Sequence, residues 1–298
     1  MDQRLVEYLK EKEWYLKHGH INDLFDEWED TESGRYLLDP LYDTINFLPY
    51  LRNEVPMYFA NYSSRLEKVE GLSSTILDIG TNSFANCKNL KEVILPENVE
   101  KIYSFAFVNC PKLTYIQLPA SIKELDDGCF ITNSSNLVID YLGTLEDWIK
   151  IDCSREAPPF RNDYELRING SSTHFQIPST ISRIPAYKFT HCISPTVISI
   201  PKTCSIVSEG AFEACTSLIT AHLHCSSIGE CAFYGCIKLK TIHLGTEIKT
   251  IREEAFTNSA IKKIIYSGTK DQFDEIVIAG DAFPKGVIVS CQDGEITL

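Results

Sequence analysis

The chain has 298 residues, is 44% hydrophobic and carries a formal net charge of −13. That apolar fraction supports a continuous core and excludes a disordered chain. The acidic balance argues against nucleic acid or anionic lipid as the main partner, and with no unbroken apolar run of about 18 residues, no membrane insertion is expected.

Residues 1–62 read as a helical N-terminal segment. Leu5, Tyr8, Leu9, Trp14, Leu16, Ile21, Leu24, Phe25 and Trp28 recur near helical spacing, with a break at Gly19. Pro40 opens a second helical stretch holding Leu41, Ile45, Phe47 and Leu48, closed by Pro49 or Pro56. Between them, Asp26, Glu27, Glu29, Asp30 and Glu32 read as a solvated turn. Glu7, Lys10, Glu11, Lys12 and Glu13 interrupt any apolar stretch of a secretory leader. The expected location is therefore cytoplasmic, with the cell surface or secretion as the alternative if a leader is missing. The segment's expected role is to cap the core that an array of repeats would expose at its end; a partner-binding domain is the alternative.

A repeat of 23 residues follows. Phe84 and Phe107, Cys87 and Cys110, Val93 and Ile116, and Pro96 and Pro119 are each 23 apart. Units open at Ile79, Ile102 and Leu125, after an irregular half-unit over 66–79. The third unit runs from Leu137–Tyr141 into Gly143, Thr144 and Trp148, where Thr144 can cap a short helix with Asp147 three residues on. This first block spans 63–153, and 154–176 read as a polar connector with turn signals at Pro158-Pro159 and Asn169-Gly170. A second block over 177–298 restarts at Ile184, Val207, Ile228 and Ile251, with Phe189, Phe212, Phe233 and Phe256 in register. It closes on Tyr266, Gly268, Thr269 and Phe273, each 125 residues after Tyr141, Gly143, Thr144 and Trp148. Thr269 with Gln272 is a capping-box pattern, and Gly286–Leu298 reads as two strands around an Asp293-Gly294 turn. One short strand per 23-residue period signs a leucine-rich-repeat solenoid, an α+β repeat fold with an N-terminal α-helical cap or domain.

Cys87, Cys110, Cys192, Cys215 and Cys236 each lie three residues after a repeat Phe. Stacked repeats bring such positions about 5 Å apart in a buried column, so the cysteines read as reduced core residues. The run Gly80–Pro96, the run Gly229–Leu244, and Gly210-Ala211-Phe212 with Cys215 and Leu218 resemble the BspA-like (Treponema pallidum type) leucine-rich repeat family. The Tyr-x-Gly-Thr helix and the Cys291-x-Asp293-Gly294 ending are similar to those of its bacterial members. The resemblance covers residues 66–298 and implies surface-attached or secreted binding and adhesion proteins in many members.

In each strand Val93, Leu95 and their equivalents face the core, and the alternating residues face out. The outward columns hold Glu92, Tyr115, Thr220, Thr241 and Lys263 beside Ile94, Gln117, His222, His243 and Ile265. Solenoids bind partners on such faces, and Tyr115 and Ile94 are suited to anchor one. His222, His224 and His243 project from one face, and three imidazoles could form an open zinc site. The columns offer them no orienting carboxylate, so the plain reading is three exposed histidines. No nucleotide loop, nucleophile elbow or paired-cysteine motif is present, so neither catalysis nor a cofactor is expected. The expected function is a non-enzymatic module that binds a protein partner through the sheet face, the N-terminal helices or both. The alternatives are a bacterial adhesin without its leader, and an inhibitor or decoy acting through the acidic N-terminal segment.

Overall fold

The computed structural model describes residues 44–45, 53–55, 57, 59–63, 66–131, 134, 137–153, 159–171 and 174–298. The helices expected before residue 44 and the acidic stretch Asp26–Glu32 lie outside the described residues. Two compact units emerge: the described residues up to Leu142 with Ile151–Asn162, and Gly143–Lys150 with Asp163–Leu298.

Each unit is a β-solenoid whose coils contribute one strand to a long-strand sheet and one two-residue strand to a short-strand sheet. In the first unit the long-strand sheet runs Thr44–Ile45, Lys68–Val69, Glu92–Ile94, Tyr115–Leu118 and Leu137–Tyr141, all parallel. The short-strand sheet runs Glu54–Val55, Asp78–Ile79, Lys101–Ile102, Glu124–Leu125 and Asp152–Cys153. Thr44–Ile45, expected from its prolines and apolar spacing to be helical, is a strand paired with Lys68–Val69. The solenoid thus begins earlier than the repeat signature does. Partners lie 24 residues apart at Thr44 and Lys68, and at Glu54 and Asp78. The parallel ladder outweighs the local helical pattern because it satisfies backbone groups in both strands.

In the second unit the long-strand sheet runs His174–Gln176, Val197–Ile200, Thr220–Leu223, Thr241–Leu244, Lys263–Tyr266 and Ile288–Cys291 in parallel. Gly294–Thr297 then turns back antiparallel on Ile288–Cys291. The short-strand sheet runs Arg183–Ile184, Ile206–Val207, Ser227–Ile228, Thr250–Ile251 and Val277–Ile278. Tyr164–Ile168, inside the stretch read as a connector, is also a strand. It is held by the Ser194 hydroxyl, which donates to the Leu166 carbonyl at 2.8 Å and accepts from the Leu166 N–H.

The turn carrying each repeat Phe forms a third wall. The Phe N–H groups donate to the carbonyl just before the equivalent Phe one coil on: Phe84 to Ala106 at 2.9 Å, Phe212 to Ala232 at 2.8 Å, Phe233 to Ala255 at 2.8 Å. Two left-handed residues flank the Phe, as Asn82 and Asn86 do around Phe84, and Gly210 and Ala214 around Phe212. Gly and Asn adopt that conformation at least cost, which is why they recur there. Inside, the Phe rings stack at 4.9–5.7 Å within each unit. Phe84, Phe107, Phe130 and Phe160 form one ladder, and Phe189, Phe212, Phe233, Phe256 and Phe283 the other. The five repeat cysteines are fully buried. Three of the thiols donate back one coil to the repeat Phe, Cys110 to the Phe84 carbonyl at 3.2 Å, Cys215 to Phe189 at 3.1 Å and Cys236 to Phe212 at 3.2 Å.

Two short helices stand among the described residues. In α1 (Leu145–Lys150), Thr144 and Asp147 bond reciprocally and Trp148 and Ile149 are buried. In α2 (Lys270–Asp274), Thr269 and Gln272 complete the capping box and Phe273 packs edge-on against Tyr266. No helix among the described residues is long and apolar enough to cross a membrane.

Candidate binding face

The strand register sets which side chains share the outward face of each long-strand sheet. In the first unit Glu92 stands beside Tyr115, and Ile94 beside Gln117. Lys68 extends the first column on one side; Val138 and Asp140 continue both on the other. These outward side chains are half-buried, because successive members of a column lie only about 4.8 Å apart and shield one another. The Tyr115 hydroxyl donates to Asp140 Oδ2 at 2.9 Å and accepts from the Gln117 amide at 3.3 Å. Burial, then the Asp140 carboxylate, push the phenol pKa above its ordinary value, so the ring presents a neutral hydroxyl. Lys68 Nζ sits between Glu70 at 2.8 Å and Glu92 at 3.2 Å. Asp140 and Lys68 were not among the residues singled out from sequence. Asp140 falls in the strand where the repeat is cut short, and Lys68 precedes the first clear repeat, so neither carries the consensus that marks a column.

In the second unit Thr220, Thr241 and Lys263 form one outward column, and His222, His243 and Ile265 the other. The His222 and His243 rings stack at 4.3 Å with planes 19° apart. Burial first, then His222 and His224, lower the pKa of His243 below the usual imidazole value. His224 has a carboxylate neighbour that the sequence reading missed: its Nδ1 lies 3.7 Å from Glu247 Oε2. Spacing did not mark it: the strands of these two coils pair 21 residues apart, as at His222 and His243, so Glu247 lies two residues past the position one repeat on from His224. Parallel stacked rings do not aim their nitrogens at a common point. Among the described residues no group of three or more His, Cys, Asp or Glu side chains is arranged to hold a metal ion.

Each unit's face supplies its own groups in fixed positions across strands. Glu92, Ile94, Tyr115 and Gln117 lie in the first unit; Thr220, His222, Thr241, His243, Lys263 and Ile265 lie in the second.

A family model for the BspA type leucine rich repeat region matches residues 54–147 and 163–281, in six copies. Among solved structures, the chain is similar to a leucine rich cell surface protein of Faecalibacterium prausnitzii, at 21% identity and a TM-score of 0.31, over 76% of this chain and 86% of that one. It is similar to the leucine rich repeat protein of T. pallidum at 20% identity and a TM-score of 0.36, over 63% and 71% of the two chains. Its likeness to the pneumococcal vaccine antigen PcpA is at 16% identity and a TM-score of 0.40, over 83% and 76%. Likenesses at this level carry no functional argument. No curated protein matches the chain. The family model accounts for more than two thirds of the residues, and six copies of its repeat coincide with the coils of the two solenoids: the chain belongs to the BspA-type leucine-rich repeat family.

Proposed function

We propose that the chain is a non-enzymatic protein-binding module that holds a macromolecular partner on the outward faces of its long-strand sheets. One observation carries this reading: the buried columns repeat the same residue, while the outward columns do not. Phe stands at every coil from Phe189 to Phe256. The outward column on the same coils reads Val197, Thr220, Thr241 and Lys263. A buried column repeats because packing dictates each side chain, whereas an outward position is free to be fitted to a partner. Repeat solenoids present such extended faces for binding rather than enclosed pockets for chemistry.

The test is photo-crosslinking in the organism of origin. A benzophenone side chain replaces Thr241 or Tyr115 on the faces, or Ile237, an exposed turn residue away from them. Crosslinks to one protein from the face positions, and none from Ile237, are expected. Equal crosslinking from all three positions, or a Tyr115→Ala/Gln117→Ala/Thr241→Ala chain that binds the captured partner with unchanged affinity, would refute the reading.

A further inference from the structure

The chain holds 41 acidic and 28 basic residues, yet one face departs from that balance. On the four strands from Val197–Ile200 to Lys263–Tyr266, none of the outward positions is Asp or Glu. Their titratable members are His222, His243 and Lys263. Lys240 and Lys262 stand where the last two of these strands begin, exposed on adjacent coils, the Lys262 N–H donating to the Lys240 carbonyl. Among the described residues neither lysine makes an ion pair. The neighbouring strand Val197–Ile200 places only Val197 and Ser199 outward, so no charge faces His222 from that side. Two carboxylates border the patch: Glu295, 3.9 Å from Lys263 Nζ, and Glu247, 3.7 Å from His224.

We propose that this face of the second unit docks an extended acidic polypeptide segment, and that protonation of the stacked His222–His243 pair tightens the grip. The proposal rests on the binding-face reading and names the class of partner for one of its two faces. Charge complementarity supports it: three lysines and two histidines gather on three adjacent strands, bordered by the carboxylates Glu295 and Glu247. Members of a column about 4.8 Å apart, and columns about 7 Å apart along a strand, match the reach of successive acidic side chains on a chain laid across the strands. The histidines supply the gate. Two imidazoles stacked at 4.3 Å repel when both are charged. A carboxylate placed over the pair relieves that repulsion, so binding and proton uptake favour one another. An acidic segment also suits the face better than a nucleic acid, because the chain's charge of −13 opposes a long polyanion while a short segment meets only the local cations.

The experiment measures fluorescence anisotropy of a labelled peptide of about eight glutamates against the full chain, at about pH 8 and about pH 5.5. Glutamate stays ionised at both values and histidine does not stay neutral. Binding is expected to tighten about three- to tenfold at the lower pH. His222→Asn/His243→Asn should lose the response to acid, the ratio of the affinities at the two pH values falling to about one. Lys240→Glu/Lys262→Glu should weaken binding at both values. Circular dichroism at about pH 8 checks that the variants fold; if either pair does not, Thr241→Glu, which adds a negative charge between the groups, replaces it and should weaken binding. No measurable binding, an acid response that survives in the histidine variant, or an oligonucleotide of equal length binding as tightly would overturn the proposal. If crosslinks from Thr241 to a native partner persist while the peptide fails, the acidic partner is wrong and the binding face stands. Loss of both removes the face itself.

Discussion

At the scale of single residues the fold is a set of columns, and a residue's value depends on its column. Phe233 is fully buried, stacked 5.2 Å from Phe212 and 5.1 Å from Phe256. Phe233→Ala removes contacts to both neighbours and leaves a cavity that two rigid ladders cannot close. It should cost about 3–5 kcal/mol, read as a lower denaturant midpoint in equilibrium unfolding. His243 belongs to an outward column and acts through charge. Its folded-state pKa is lowered, chiefly by burial, so the native state resists a proton that the unfolded chain accepts near pH 6.5. Above that pH the residue costs nothing. As pH falls from the unfolded value through the lowered folded one, stability is lost, and below both the loss is constant. His243→Asn should therefore melt at a rising temperature relative to the parent chain as the buffer moves from about pH 7.5 to about pH 5. A constant difference across that range would show that the proton is not resisted.

At the scale of elements, the short helices depend on their caps. The α2 helix has only five residues, too few to be stable alone. Thr269 accepts from the Gln272 N–H at 3.3 Å, and Gln272 Oε1 accepts from the Thr269 N–H at 3.0 Å. Thr269→Ala should lower stability by about 1 kcal/mol, with Thr269→Ser restoring most of it; chemical denaturation of the three chains decides. The other helix start uses Thr144 with Asp147, whose carboxyl the Thr144 hydrogen bonds hold below its usual pKa. That cap is full above the ordinary carboxylate pKa and is lost as pH falls through the lowered one, whereas the Thr269 cap has no ionisable member. The strand pair at the end of the second unit is a further element with a local logic. Gly294–Thr297 pairs antiparallel on the last parallel strand and sets Glu295 on the free edge, a charge that disfavours pairing with another chain.

At the scale of the whole molecule, each coil contacts its neighbours and little else, so the period is also a unit of excision. Removing Gly229–Ile251, 23 residues, joins Ile228 to Arg252. It sets Thr220–Leu223 beside Lys263–Tyr266, and Phe212 beneath Phe256, in unchanged register. This chain should remain soluble and β-rich with a lower melting temperature, since one interface between coils is gone. Removing Gly229–Lys240 alone breaks the period, turns strand residues toward the turn wall and should yield insoluble protein. Solubility and far-ultraviolet circular dichroism of the two deletions compare them; equal behaviour would show that coil register does not govern folding.

The sequence alone determined the period, and the period determined most of the fold. A Phe every 21 or 23 residues, mostly with a Cys three positions later, is buried by stacking. That stacking fixes which strand residues face in and which share an outward column. The two helix starts were legible for the same reason, because a cap is a local hydrogen-bond pattern. What the tertiary structure decided was whatever lacks the consensus yet completes a coil. Thr44–Ile45 became a strand because a neighbouring strand offered it a ladder, a long-range pairing that no local window contains. Phe160 and Phe283 extended the two ring ladders from outside the repeat signature. Asp140 reached Tyr115, and the His222 and His243 rings came to lie parallel, through rotamers that packing selects and spacing does not specify. Periodicity reports what every coil must share; the contacts that distinguish one coil from the next arise only when neighbouring strands bring particular side chains within about 5 Å of one another.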